Sequence, residues 1–72
     1  MRDLEEIGLN FEEAEAIRLV DLEEKGQGEA GKMMKVSQPT LSRILKDARR
    51  KISDAIINGK AIRIEGGDYK FR

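Results

Sequence analysis

Three basic side chains recur at helical spacing in the segment from residue 37 to residue 58. Counted at about 100° per residue from Leu41, they lie on the opposite side of the helix, at about 200° (Arg43), 140° (Lys46) and 180° (Arg50). Small polar residues precede them at the start of the segment. Such a helix suits the major groove of DNA, where short polar groups meet base edges and cations meet phosphates.

We therefore expect two kinds of DNA contact in and just before this helix. Contacts to base edges are predicted for Gln38, Thr40, Ser42 and Arg43. Contacts to the DNA backbone are predicted for Lys35, Ser37, Lys46, Arg49 and Arg50. The competing interpretation is that these basic residues only form a solvated face, as on many surface helices.

The helix that must position these residues is predicted to span 37–58. Ser37 is a suitable N-cap, and Pro39 falls in the first turn, where its missing N–H has no intrahelical partner. Asn58-Gly59 is a typical C-terminal stop. One apolar stripe follows the helical period and comprises Leu41, Ile44, Leu45, Ala48, Ile52, Ala55 and Ile56.

The acidic N-terminal part of the chain predicts a helix over 10–24. Asn10 and Glu13 have the spacing of a capping box. Two glycines in residues 25–28 predict the turn that ends the helix. A short turn of helix is expected before it, over residues 2–8.

A second, short helix is predicted over 28–34, followed by a turn of about three residues. Two helices joined in this way form a helix-turn-helix. After Gly59 the pattern alternates apolar and charged residues on both sides of Gly66-Gly67, which predicts a β-hairpin over 61–72. The expected fold is therefore a mainly α, three-helix domain, 1–72, with a long third helix and a C-terminal hairpin.

Charge is divided along the 72-residue chain although its net value is zero. Residues 1–24 carry nine acids and two bases, which is a net charge of −7, and residues 25–72 carry twelve bases and five acids, which is +7. A basic C-terminal part indicates an anionic partner. Mutual neutralisation of two packed halves is the alternative.

Several classes of function are disfavoured by composition. The chain has no cysteine and no histidine, so disulfides, thiolate metal sites and the usual neutral-pH general base are excluded. No nucleophile–base pair or phosphate-binding glycine loop is present. We expect no catalysis, metal or cofactor. Without an apolar run of about 20 residues, we also expect a cytoplasmic protein with no membrane partner.

The sequence also resembles a known family. "EAEAIRLVDLE" and "VSQPTLSRILKDARRKISDAIINGKAIRIEGG" are similar to small, uncharacterised prokaryotic helix-turn-helix proteins related to region 4 of bacterial sigma factors. The resemblance implies a DNA-binding module with Ser37 to Arg50 as the recognition helix. Lys35 stands where the family has glycine, in a turn that often requires a left-handed backbone, which lysine adopts at a cost of about 1 kcal/mol.

The predicted function is sequence-specific binding of double-stranded DNA in the major groove, as part of transcription regulation. The alternative is a protein-interaction module that uses the acidic first helix, for example with RNA polymerase or other transcription proteins. The sequence leaves open whether the chain forms a homodimer, through the C-terminal half of the third helix or through the hairpin.

Overall fold

The computed structural model of the protein describes residues 4–65. Its elements are, in order, strand β1 (Glu6–Leu9), helix α1 (Phe11–Ala16) continuing as a π-helical segment (Ile17–Leu22), helix α2 (Gln27–Met34), helix α3 (Gln38–Asn58) and strand β2 (Ala61–Ile64). The expectation of a mainly helical fold with a long third helix is confirmed.

The first helix begins at the predicted capping box. The N–H of Glu13 donates to Asn10 Oδ1 at 2.8 Å, and the N–H of Asn10 donates to Glu13 Oε1 at 3.0 Å. The helix then widens into the π-helical segment and ends at Leu22, two residues before the predicted end. The following turn uses a left-handed backbone at Glu24 (φ 61°) rather than at a glycine, so the predicted glycine turn is wrong.

The connection between α2 and α3 contains the predicted left-handed residue. Helix α2 starts at Gln27, one residue earlier than expected, because Gly26 occupies the N-cap position. At its other end Lys35 has φ 61° and ψ 43°, and its N–H donates to the carbonyl oxygens of Gly31 and Lys32. This left-handed residue ends α2, and α3 begins three residues later at Gln38.

Helix α3 has the predicted ends. Ser37 is its N-cap, Pro39 lies in its first turn, and Gly59 closes it with φ 66°. Most of its apolar stripe packs inward, since Leu41, Leu45, Ala48 and Ala55 are buried. Ile56 is an exception: it lies in the last turn of the helix and is 72% exposed.

The core lies between α3 and the first two helices. Its centre is formed by Leu19 from the π-helical segment and by Leu41 and Leu45 from α3. Ala16 and Ala30, both fully buried, allow the helix backbones to approach closely. The α3 stripe thus contributes Leu41 and Leu45 to this core, both from the N-terminal half of the helix.

Strands β1 and β2 pair in parallel, with Glu6 beside Ala61 and Leu9 beside Ile64. The predicted helical turn over residues 2–8 is therefore wrong, since its described part contains a strand. A strand of four residues is too short to show a clear period, and its partner lies more than 50 residues away in the chain. The predicted strand after Gly59 is confirmed, whereas the second half of the predicted hairpin lies outside the described residues.

Candidate nucleic-acid interface

The N-terminus of α3 is organised by two hydroxyl groups. The N–H of Thr40 donates to Ser37 Oγ at 3.3 Å, and the Ser37 hydroxyl donates to Thr40 Oγ1 at 2.9 Å. Gln38, next to this pair, has an exposed side chain. The first turn of α3 thus presents polar side chains, while its backbone N–H groups at Thr40 and Leu41 are bonded to Ser37 and Pro39 has none. The helix dipole still favours anions at this end.

The predicted basic ridge, consisting of Arg43, Lys46 and Arg50, lies on the solvent side of α3. All three residues are exposed, and none of them takes part in an ion pair with another of residues 4–65. Ser42 is exposed beside them. The structure therefore places four of the predicted contact residues on one accessible surface.

Arg49 is arranged differently from the ridge. Its Nη2 lies 2.7 Å from Asp21 Oδ1, and its Nε lies 3.1 Å from Asp21 Oδ2. This two-pronged hydrogen bond lowers the pKa of the Asp21 carboxyl below its usual range and raises that of Arg49. Within residues 4–65, Arg49 is thus the one predicted phosphate contact of α3 that is bound to an acid.

A second contact joins α1 to α3. Lys51 Nζ lies 2.9 Å from Glu13 Oε1, the same oxygen that accepts the N–H of Asn10. Glu13 is only 5% exposed, so its carboxylate depends on these two donors. Ion pairs between the acidic and basic parts of the chain thus involve Arg49 and Lys51 of α3, and also Lys60 and Arg63 beyond it, whereas none among residues 4–65 involves the basic ridge.

The two acidic partners, Asp21 and Glu13, were not predicted as contacts of α3. Asp21 lies 28 residues from Arg49, and Glu13 lies 38 residues from Lys51. No local pattern connects residues so far apart. The only signal in the sequence was the general division of charge.

A shallow groove of about 280 Å³ lies between α1 and α2. It is lined by Phe11, Glu12, Glu15, Met33 and Met34. Met33 is 53% exposed. The groove combines flexible apolar side chains with carboxylates, which is a typical composition for a surface that meets a basic protein partner.

Other kinds of site find no support between residues 4 and 65. No group of three or more acidic residues is close enough to hold a metal ion in this part of the chain, which contains neither histidine nor cysteine. None of its helices is both long and apolar enough to cross a membrane.

Comparison with known proteins shows to which family the chain belongs. The model of DUF134, described as a protein of unknown function, matches residues 2–72. The chain belongs to the DUF134 family. This confirms the part of the predicted resemblance that concerns an uncharacterised prokaryotic family, while the relation to sigma region 4 stays a prediction. No solved structure matches the chain.

Several relatives carry the name UPF0251 protein. One from Caldanaerobacter subterraneus subsp. tengcongensis is 63% identical over 67 residues, which cover 93% of this chain and 57% of the relative. Another, from Thermoanaerobacter pseudethanolicus, is 57% identical over 70 residues, covering 97% and 59%. A third, from Moorella thermoacetica, is 55% identical over 69 residues, covering 96% and 46%. The chain thus spans about half the length of these relatives.

Proposed function

We propose that this chain binds double-stranded DNA sequence-specifically and acts in transcription regulation. In this proposal α2, the turn at Lys35 and α3 work as a helix-turn-helix related to sigma region 4. Helix α3 enters the major groove with its N-terminal end foremost. The same interface is proposed for the full-length relatives, in which this segment is about half of the protein.

The observation that carries the proposal is the contrast between two sets of cations on α3. Arg49 and Lys51 flank the buried stripe and are bound to acids of the first helix and its π-helical continuation, whereas Arg43, Lys46 and Arg50 point outward with no ion-pair partner among residues 4–65. If these cations only formed a solvated face, there would be no reason for three of them to align over two turns behind a polar N-terminus. A phosphate backbone supplies the missing counter-charge along such a line.

Different parts of the helix have different roles in the proposal. Gln38, Ser42 and Arg43 extend from its first two turns, so they reach base edges. Lys46 and Arg50 lie one and two turns further on and contact phosphates. Ser37 and Thr40 first hold the helix end together, and the hydroxyl proton of Thr40 remains free to donate to a base or phosphate.

The test begins with selection of bound duplexes from a random pool, followed by anisotropy titrations of the selected duplex and of a scrambled one at several salt concentrations. We expect a steep loss of affinity with salt, and a slope that falls by about 0.9 for each phosphate contact removed. Arg50→Ala should weaken both duplexes alike. Arg43→Ala should weaken the selected duplex by about 1–3 kcal/mol more than the scrambled one.

The matched control is Arg18→Ala, which removes the same charge from a residue held by Glu15 and Glu23 on the first helix. It should change duplex affinity much less than Arg50→Ala. Equal losses for both variants would mean that only net charge matters, and would contradict the assignment of the ridge. Enrichment of no sequence from the pool would contradict sequence-specific binding.

A protein-interaction module is the second candidate, and the groove between α1 and α2 favours it. The groove offers Met33 and Met34 beside Glu12 and Glu15 to a basic, apolar segment of a protein such as RNA polymerase. Met33→Ala and Glu12→Gln should abolish such an interaction and leave duplex binding unchanged. DNA binding as the function requires duplex affinity that falls steeply with salt, whereas a protein-interaction module does not. The salt dependence of duplex binding separates the two candidate functions.

A further inference from the structure

Two side chains in the first two turns of α3 have paired hydrogen-bonding groups that no described residue occupies. Gln38 is the first residue of α3 and is exposed, and its amide makes no hydrogen bond with another of residues 4–65. Arg43 follows about one and a half turns later. It is exposed as well, and its guanidinium has neither a hydrogen bond nor an ion pair in this part of the chain.

The other two predicted base contacts lack such a pair of groups. Thr40 is half-buried, and its Oγ1 accepts the Ser37 hydroxyl at 2.9 Å. Ser42 is exposed, but its single hydroxyl can donate or accept, so it suits any base edge. A side chain that makes two hydrogen bonds to one base discriminates much better. Gln38 and Arg43 are therefore the predicted base contacts that can determine which base is bound.

The donors and acceptors of each side chain match one base in the major groove. The Arg43 guanidinium offers two parallel N–H donors and no acceptor, and guanine alone presents two neighbouring acceptors, O6 and N7. The Gln38 amide offers a donor beside an acceptor. Adenine alone presents the complementary pair, which is N7 beside the N6 amino group. Cytosine and thymine each present one hydrogen-bonding group there.

Arg43 keeps both donors although an acid lies four residues further along α3. Residues at this spacing are neighbours on a helix surface, yet Asp47 forms no ion pair with Arg43 or with another of residues 4–65. Arg49 differs, because Asp21 accepts from two of its nitrogens. The guanidinium of Arg43 is thus available for a two-pronged contact with a base.

The spacing of the two residues sets the distance between the two bases. Five residues of helix correspond to about 7.5 Å along the axis, and successive base pairs lie about 3.4 Å apart. A helix that follows the groove therefore brings Gln38 and Arg43 to base pairs about two steps apart. Lys46 and Arg50 lie further along α3, beyond Arg43, so the phosphates that they contact lie on the side of the base bound by Arg43.

We propose that Gln38 recognises an adenine and Arg43 recognises a guanine about two base pairs away. The Gln38 amide donates to N7 of adenine and accepts from its N6 amino group, while the Arg43 guanidinium donates to O6 and N7 of guanine. This inference rests on the proposed DNA binding and names the bases that the same site selects. The remaining contacts of α3 position the helix and add affinity for any duplex.

The test compares duplexes selected from a random pool by the wild-type chain with those selected by Arg43→Ala and by Gln38→Ala. Each variant should lose the preference at one position of the site, a guanine for Arg43→Ala and an adenine for Gln38→Ala. Replacing either base pair should weaken wild-type binding by about 5- to 140-fold, which corresponds to one two-pronged contact. Loss of the preference for a different base, or at no position, would overturn the assignment.

A second measurement removes an acceptor from the DNA and leaves the protein unchanged. The analogues 7-deazaguanine and 7-deazaadenine have a carbon in place of N7 and keep their Watson–Crick pairing. Each should weaken wild-type binding by about 2- to 12-fold, because one of two hydrogen bonds is lost. Arg43→Ala should not respond to 7-deazaguanine, nor Gln38→Ala to 7-deazaadenine. A response that persists in the matching variant would mean that another group makes the contact.

Arg50→Ala is the matched control for Arg43→Ala, since it removes an equal charge from the same helix at a phosphate contact. It should weaken binding to all duplexes and retain both base preferences. Circular dichroism should show that the variants are folded, because the substituted side chains are exposed. If the wild-type chain enriches no sequence, the proposed function and this inference both fail. Enrichment of a site with other bases at these two positions contradicts the inference alone.

Discussion

The carboxylate of Asp21 holds the guanidinium of Arg49 through two hydrogen bonds, at 2.7 Å and 3.1 Å, across 28 residues of sequence. This pair links the π-helical segment to the middle of α3. It also removes one cation from the set that was predicted to meet the DNA backbone. Asp21 and a DNA phosphate would compete for the same two-pronged donor.

Releasing Arg49 should strengthen DNA binding. In Asp21→Asn the side chain keeps its size but loses its charge, so Arg49 becomes free to contact phosphate. We expect the affinity for duplex DNA to rise several-fold at low salt and the salt slope to increase by up to about 0.9, the contribution of one phosphate contact. Anisotropy titration at several salt concentrations measures both quantities.

Glu23→Gln is the matched control for this change, because it removes an equal charge close by from an acid that binds Arg18 rather than α3. It should increase affinity less than Asp21→Asn and leave the salt slope unchanged. If the two variants are indistinguishable, Arg49 does not take part in DNA binding.

The same pair predicts a loss of stability in acid. Because the hydrogen bond from Arg49 lowers the pKa of Asp21 in the folded chain, its stabilising contribution is complete above the ordinary pKa of an unfolded aspartate, about 3.9. The contribution is lost as the pH falls through the lower pKa of the folded state. The melting temperature should therefore drop below about pH 4, and less steeply in Asp21→Asn.

Asp54 contributes to the acid dependence in the same direction. Hydrogen bonds from Lys60 and then Asn58 lower the pKa of its carboxyl. Asp54→Asn should therefore also flatten the acid side of the stability profile, measured by thermal melts at stepped pH. A profile identical to that of wild type in both aspartate variants would show that neither pair persists in solution.

Lys51 is expected to matter for stability more than the cations of the ridge. Lys51→Met leaves the buried Glu13 carboxylate with the N–H of Asn10 as its remaining donor, which should cost about 1–3 kcal/mol of unfolding free energy. Adding Glu13→Gln should recover part of that loss, since the uncompensated charge disappears. Urea denaturation of the wild type, of both single variants and of the double variant measures these differences in the free energy of unfolding.

Lys46→Met, an equal substitution on the exposed ridge, is the control and should stay within about 0.5 kcal/mol of wild type. If Lys51→Met is equally mild, water rather than lysine compensates Glu13.

The turn before α3 offers a stabilising substitution. Lys35 has a left-handed backbone, which disfavours a residue with a side chain by about 1–2 kcal/mol, whereas glycine adopts it freely. Lys35→Gly should raise the free energy of unfolding by about 0.5–1 kcal/mol after the entropy of glycine is counted. Lys32→Gly, within α2, should instead lower it by about 1 kcal/mol. A destabilising Lys35→Gly would contradict this account.

Local signals in the sequence identified the helices and several of their ends. The spacing of Asn10 and Glu13, the cap at Ser37 and the stop at Gly59 depend on contacts within four or five residues, and each of them is confirmed. The outward position of Arg43, Lys46 and Arg50 follows from the helical period alone. For this reason the amino-acid sequence predicts the outward ridge of the candidate interface, but not the pairing of Arg49 with Asp21.

Contacts between distant segments were decided only by the tertiary structure. The helical turn expected before Leu9 is a strand because Ala61–Ile64 returns beside it, and a parallel partner leaves no pattern of its own in four residues. Asp21 forms an ion pair with Arg49, and Glu13 forms one with Lys51, because the first helix and its π-helical continuation pack against α3. Helical periodicity thus determined which cations of α3 point outward. Long-range packing decided which of the remaining cations are neutralised, because only folding brings the acids of the first helix within reach of α3.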